Sequence, residues 1–262
     1  MRLTCFVLCL RFLPAPGCGI IRALAMVTDS MTSILAVDTS TEACSVALYR
    51  EGEVTALHEF APRRHNQLLL AMLRELMPSG PAALDAVAYG CGPGSFTGLR
   101  ITASAVQGLC FATGLPALPV STLSCQVYGA MRLGQAGEGD CVLSTLDAHI
   151  GELYWALYRI DGNRAVEVSA AQATKPARLA PSGDAPLIVI GSGLQYRDAM
   201  PPAVTTRFSA EYPQLLPAAR DLLPEALRAL QARRVQSAEQ VCPVYVRDEI
   251  SWKKLAEQGP RT

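Results

Sequence analysis

The stretch Gly90–Thr102, GCGPGSFTGLRIT, sets four glycines, a proline, a serine and two threonines between an apolar run and a helix-like segment. A glycine-rich turn from strand to helix leaves backbone N–H groups free at the positive end of a helix dipole, where anions, phosphates above all, are the natural ligands. Gly92, Gly94, Ser95 and Gly98 are the candidate contacts. The common phosphate motifs do not fit. A Walker A loop places lysine after its last glycine, whereas Leu99 follows Gly98. The dinucleotide fingerprint is GxGxxG, and Gly92, Gly94 and Gly98 are spaced one residue too long. A GxSxG nucleophile elbow fails as well, because Gly94 directly precedes Ser95. Two readings stay open: a phosphate cradle, or a turn whose glycines let backbone pack closely on a neighbour.

Two aspartates occupy matching places. Asp38 ends the first apolar run of ILAVDTSTEACSVALYREG, and Asp147 ends that of VLSTLDAHIGELYWALYRIDG. Facing each other across a cleft, they could hold Mg²⁺ through water; the alternative is that each pins its own turn through local hydrogen bonds. A second small-residue turn, Gly191-Ser192-Gly193, ends the apolar run in PLIVIGSGLQY. The three histidines, His58, His65 and His149, are scattered, with no pair at i, i+4 spacing and no HExxH. No catalytic residue and no metal site are predicted.

The elements that must carry these residues repeat. With Asp38 laid over Asp147, Ala47-Leu48-Tyr49-Arg50 falls on Ala156-Leu157-Tyr158-Arg159, so each half opens with one β-hairpin whose turn carries an aspartate. After the first hairpin and a strand over 54–60, HNQLLLAMLRELM has helical spacing; a strand over 85–89 and a helix over 101–113 flank the glycine-rich loop. Ser121 or Thr122 caps a further helix, and the glycine-rich LGQAGEGD is a hinge. LLPAARDLLPEALRALQARR reads as a late helix, with Pro217 and Pro224 in first-turn positions. Hairpins followed by alternating helices and strands make mixed sheets covered by helices. The division expected is an extension over 1–31, one lobe over 32–137 and a second lobe with a tail over 138–262.

Composition agrees with a two-lobed α/β protein. Of 262 residues, 50% are hydrophobic and 18% charged, enough apolar material for two cores. Lys plus Arg (23) balances Asp plus Glu (23), so no strong field draws the chain to nucleic acid or a membrane. Nine cysteines, an odd number without a CxxC pair, suit reduced thiols in the cytoplasm. MRLTCFVLCLRFLPAPGCG superficially resembles a signal peptide, but Arg11 interrupts the apolar run and it cannot span a membrane. It reads as disordered, or as lying upstream of a start at Met26 or Met31.

Two helices carry more than a core needs. Ser104, Gly108 and Ala112 form a small-residue strip, and the helix holding Leu69, Met72, Leu73 and Leu76 spreads its apolar residues beyond one stripe. Either helix can pack on its own sheet; the excess suits contact with a partner as well. The tail adds Tyr245, Arg247, Trp252, Lys253 and Lys254, whose aromatic rings are expected to pack on the body rather than read RNA.

ILAVDTSTEACSVALY, GPGSFTGLRI, LPVSTL, LDAHIGELYWALY and PVYVRDEISWKK, in that order over nearly the whole chain, resemble the bacterial TsaB (YeaZ) family of tRNA threonylcarbamoyladenosine biosynthesis. GPGSFTGLR alone is shared with the catalytic sister family TsaD. The resemblance implies two ribonuclease-H-like lobes of the sugar kinase, Hsp70 and actin type. It implies a non-catalytic subunit, because the paired-histidine motif of TsaD is replaced here by VSTLSCQVYGAM and the first hairpin keeps Asp38 without a glycine-rich loop. It further implies a heterodimer with a TsaD-type transferase through the first-lobe helices, ADP or ATP at that interface, a TsaE-type ATPase as third partner, tRNA contact only through the complex, and a homodimer when alone. The alternatives are an ATP-dependent small-molecule kinase of the same fold and, less favoured, a metallopeptidase.

Overall fold

The computed structural model describes residues 32–81 and 83–246; the expected extension over 1–31 lies outside them, as do Arg247, Trp252, Lys253 and Lys254. Strands β1 (Ser33–Asp38), β2 (Ala43–Arg50), β3 (Glu53–Phe60), β4 (Ala86–Gly92) and β5 (Ala117–Ser121) make one sheet in the order β3-β2-β1-β4-β5. Strands β6 (Cys141–Asp147), β7 (Leu153–Asp161), β8 (Arg164–Thr174), β9 (Leu187–Ile190) and β10 (Phe208–Tyr212) make another, in the order β10-β9-β6-β7-β8. Read from its other edge, the second sheet has the strand order of the first. In both, three antiparallel strands are followed by two that run parallel to the first. The repeat visible in the two hairpins therefore extends through five strands. Pairing differs by one residue: Ala47 faces Ala36, two before Asp38, while Ala156 faces Ser144, three before Asp147.

Strands buried on both faces read as apolar runs rather than alternations, and β1 and β4 are buried throughout. On the outer face of the first sheet, α1 (His65–Leu76) and α2 (Phe96–Thr113) pack Leu69, Met72, Ala103 and Val106 against Leu35, Val37, Val46, Val87 and Tyr89. Helix α2 starts five residues before the expected Ile101, because Ser95 caps it and its side chain accepts the Gly98 N–H at 3.3 Å. It ends at Gly114, whose left-handed φ of 72° favours glycine. Strand β4 runs on to Gly92, so Gly90 and Gly92 are strand residues, not loop residues.

The inner faces exchange helices. Helix α3 (Thr122–Arg132), capped by Ser121, packs Leu123, Val127 and Ala130 on Val142, Leu146, Ala156 and Ile190 of the second sheet. Helix α5 (Ala219–Gln231) comes from beyond residue 138, yet Leu222, Leu223, Ala226 and Leu227 complete the core of the first sheet with Ile34, Ala36, Ala47 and Leu118. Pro224 lies inside α5, not in its first turn, and Pro217 precedes the helix. The two helices are joined by Arg132, whose Nε and Nη2 donate to the Asp221 carboxylate at 2.7 and 2.9 Å. A short helix α4 (Pro202–Thr205) and a 3₁₀ turn over Ser192–Ala199 cover the far face of the second sheet, burying Leu194, Met200 and Val204 against Leu143, Trp155 and Val189.

The segment up to Tyr245 returns to the first lobe. Val244 N–H donates to Cys91 O at 2.7 Å, and the Tyr89 hydroxyl donates to Gln236 Oε1 at 2.8 Å. Tyr245 packs on Phe96, with ring centroids 5.7 Å apart, and accepts from Arg100 Nε at 3.2 Å. Cys44, Cys91, Cys110 and Cys125 are buried free thiols and Cys242 is exposed. Among the described residues no helix is long and apolar enough to cross a membrane.

Candidate functional site

The glycine-rich loop is built around the β1–β2 turn. An added Cβ on Gly98 would overlap Thr39 O, and one on Gly94 would overlap Ser40 O. A Cβ on Gly92 would lie 2.6 Å from Val244 O. Each of these glycines admits a neighbouring carbonyl, so bare backbone lets the loop pack closely on the hairpin turn and on Val244. Hydrogen bonds join the loop to the same turn. Ser95 N–H donates to Ser40 O at 2.7 Å, and the Thr39 hydroxyl donates to Gly98 O at 2.8 Å. Thr39 Oγ1 and Thr102 Oγ1, 2.6 Å apart, tie the turn to the next turn of α2.

The two aspartates do not meet across the cleft. Asp38 is fully buried beneath the turn, where its Oδ1 accepts the Ser40 N–H at 3.2 Å and the Ser40 hydroxyl at 2.9 Å. Burial pushes its carboxyl up to about 6, against the lowering effect of those two bonds. Asp147 sits at the equivalent strand end but lines the cleft. Its Oδ1 accepts the His149 N–H and the Tyr196 hydroxyl, both at 2.9 Å. Burial raises this carboxyl, but hydrogen bonds from the His149 amide, Gln195 and Tyr196, with the nearby His149 ring, outweigh it and hold the carboxyl below its usual range. Both aspartates thus accept the N–H two residues on, the hydrogen bond that fixes an Asx turn. Gly191, at φ 94°, admits Thr145 O where a Cβ would stand, and Gly193 is pressed against the Thr145 side chain. No group of three or more His, Cys, Asp or Glu side chains gathers to hold a metal among the described residues.

Between the lobes lies a cavity of about 770 Å³, lined among others by Thr41, Arg63, His65, Thr97, Asp147, His149 and Ser192. Its position brings His65 and His149 to one space, which their separation in sequence does not suggest. His149 and Ile150 both have left-handed φ, 59° and 56°, so the turn turns sharply beside the cavity.

The helix face expected to meet a partner divides into two. Ser104, Gly108 and Ala112 are exposed on α2, and a Cβ on Gly108 would meet nothing within 4 Å. On α1, Leu69 and Met72 are instead core residues, because they are the positions of the helix that face the sheet, and Leu73 and Leu76 are partly buried against the same core. Leu70, which helical spacing assigned no special part, is 58% exposed, and Phe111 on α2 is 77% exposed. A groove of about 490 Å³ runs between the two helices, bordered by Leu70, Phe96, Arg100, Ile101 and Ser104.

Comparison with known proteins places this arrangement. The family model described as TsaD, tRNA N6-adenosine threonylcarbamoyltransferase, matches residues 57–249. The chain is 38% identical over 230 residues to the tRNA threonylcarbamoyladenosine biosynthesis protein TsaB of Escherichia coli (strain K12), an overlap covering 85% of this chain and 97% of that protein. The Haemophilus influenzae TsaB is 33% identical over 241 residues, with the same coverage of 85% and 97%. The solved structure of YeaZ from Pseudomonas aeruginosa superposes with a TM-score of 0.76 at 40% identity, covering 82% of this chain and 100% of that one. With two like-ordered sheets, a glycine-rich loop closed by its own hairpin turn, and relatives matched over nearly their full length, the chain belongs to the TsaB (YeaZ) family.

Proposed function

We propose that this chain acts in tRNA N6-threonylcarbamoyladenosine formation at position 37 as a non-catalytic subunit that binds and supports a TsaD-type transferase. The TsaB relatives supply the pathway. The observation that carries the subunit role is the exposed strip Ser104, Gly108 and Ala112, which leaves open space over Gly108 and has a groove alongside it. Small residues in a helix let a second helix approach closely, and Leu70 and Phe111 flank the strip with apolar surface. The same face serves a homodimer when the partner is absent. A TsaE-type ATPase is the third member, any ADP or ATP sits at the interface with the partner, tRNA is met through the complex, and the site of action is the cytoplasm.

The non-catalytic reading rests on filled space. Thr39 O and Ser40 O fill the side of Gly98 and Gly94 that faces the hairpin turn, and Asp38 is sealed beneath that turn. The kinase alternative needs phosphate at that turn. The test is reconstitution of threonylcarbamoylation from purified TsaD-type and TsaE-type proteins, tRNA, ATP and an activated threonylcarbamoyl donor. Modification that requires this chain, with none from the chain alone, supports the proposal; full activity without it, or activity of the chain by itself, overturns it.

A further inference from the structure

The turn that closes the β6–β7 hairpin is unlike its counterpart in the first lobe. Thr39, Ser40 and Thr41 of the β1–β2 turn are buried. In the second lobe His149, Ile150 and Gly151 follow one another at φ 59°, 56° and 72°, and Ile150 is 88% exposed, more than any other large apolar side chain among the described residues. Left-handed φ is costly for a residue with a Cβ and most of all for a β-branched one, whereas asparagine and glycine adopt it readily. Ile150 thus disfavours its own backbone and buries almost nothing in return. Strain of this sort collects at sites used for recognition.

The tip is also held firmly. Asp147 Oδ1 accepts the His149 N–H at 2.9 Å, and Asp147 Oδ2 lies 3.2 Å from His149 Nδ1. The Ala148 N–H donates to Glu152 O at 3.0 Å and the Glu152 N–H to His149 O at 3.2 Å, closing the turn. The Tyr196 hydroxyl steadies the Asp147 carboxylate from the 3₁₀ turn. An apolar side chain presented by a rigid turn binds without first losing conformational freedom.

Its place in the fold points to the partner. His149 lines the cavity between the lobes, and Asn66, Thr97 and Ile101 line both that cavity and the groove between α1 and α2. The cleft mouth is therefore continuous with the helix face, where Leu70 is 58% and Phe96 50% exposed.

We infer that the β6–β7 tip is an anchor on the partner-binding surface: a transferase seated on the α1–α2 groove extends over the cleft mouth and takes Ile150 into an apolar socket. This rests on the subunit reading and carries the partner's footprint to the second lobe. A few fully buried anchors supply most of the energy of an interface.

The test is calorimetric titration of the full chain with the purified TsaD-type transferase, alongside thermal melts of the chain alone. Ile150→Asn and Ile150→Gly relieve the backbone and remove the anchor. Both are expected to melt at or above the wild-type temperature yet bind the transferase about tenfold or more weakly, a combination that a purely structural turn residue does not give. Ile150→Leu, which keeps an apolar side chain, should bind close to the wild type. Wild-type affinity of the asparagine and glycine variants, or melting of both well below the wild type, overturns the inference. So does a variant that keeps its transferase affinity while the complex loses tRNA, which would set the tip against RNA. Failure of the wild-type chain itself to bind the transferase would overturn the subunit reading, and this inference with it.

Discussion

The Asp38 carboxylate occupies the place a Cβ on Gly90 would take: Oδ2 lies against the bare Cα of the neighbouring strand, without a hydrogen-bond partner. Gly90→Ala is therefore expected to destabilise the protein by about 3 kcal/mol through overpacking. In an Asp38→Ala background the same change should cost far less, because the atoms it displaces are gone. Denaturant unfolding of the two single variants and the double variant checks this; equal costs for Gly90→Ala in both backgrounds would show that the clash is not with Asp38.

Asp38 also predicts a pH dependence. Its carboxyl rises from 3.8 to about 6 on folding, so the protonated form is the one the fold favours. The stabilisation is fully present below about pH 4 and is lost as the pH rises through about 6, a change on the order of 3 kcal/mol. Asp38→Asn keeps an acceptor for Ser40 and removes the titration. Between pH 4 and pH 8 its unfolding free energy should be flatter than that of the wild type by that order.

Gly108→Arg and Met72→Glu separate interface from core. Gly108 has open space at its Cβ, and arginine has the higher helix propensity, so Gly108→Arg should leave a folded monomer that no longer co-purifies with the transferase. Met72 is 8% exposed within the first core, and a glutamate there should cost several kcal/mol and lower the yield of folded protein. Co-purification of Gly108→Arg at wild-type yield would remove the strip from the interface.

The Arg132–Asp221 pair is unequal in exposure, 37% against 4% for the side chains. Arg132→Ala strands a buried carboxylate and should cost about 3–5 kcal/mol. Asp221→Asn leaves an arginine able to turn to water, and should cost less. Thermal melts of the two variants give the order directly.

Much of this fold is legible in the residues. The hairpin repeat around Asp38 and Asp147 predicts two like lobes, and helical spacing places α1 within a residue. Three features escape, one through a local cap that competes with a loop-like composition and two through contacts between residues distant in sequence. The start of α2 at Phe96 is set by the Ser95 cap, whereas a glycine-rich run argues locally for loop. The buried side of α1 is set by which way the sheet lies, so apolar excess alone did not separate Leu69 and Met72 from Leu70. The meeting of His65 with His149 in one cavity follows from packing two lobes together, for which neither residue carries a local signal. The glycines of the loop could be read as cradle or turn; Thr39 O and Ser40 O, more than fifty residues away in the chain, settle their packing.

Helix α5 has a consequence for how the protein is made. The inner face of the first sheet, with Ile34, Ala36 and Leu118, is covered by Leu222, Leu223 and Ala226, which leave the ribosome only after both sheets have been synthesised. A nascent first lobe therefore emerges with one apolar face bare, and its folding waits for α5 rather than proceeding lobe by lobe. Stop codons ahead of α5 should yield chains held by chaperones or degraded, not a working half.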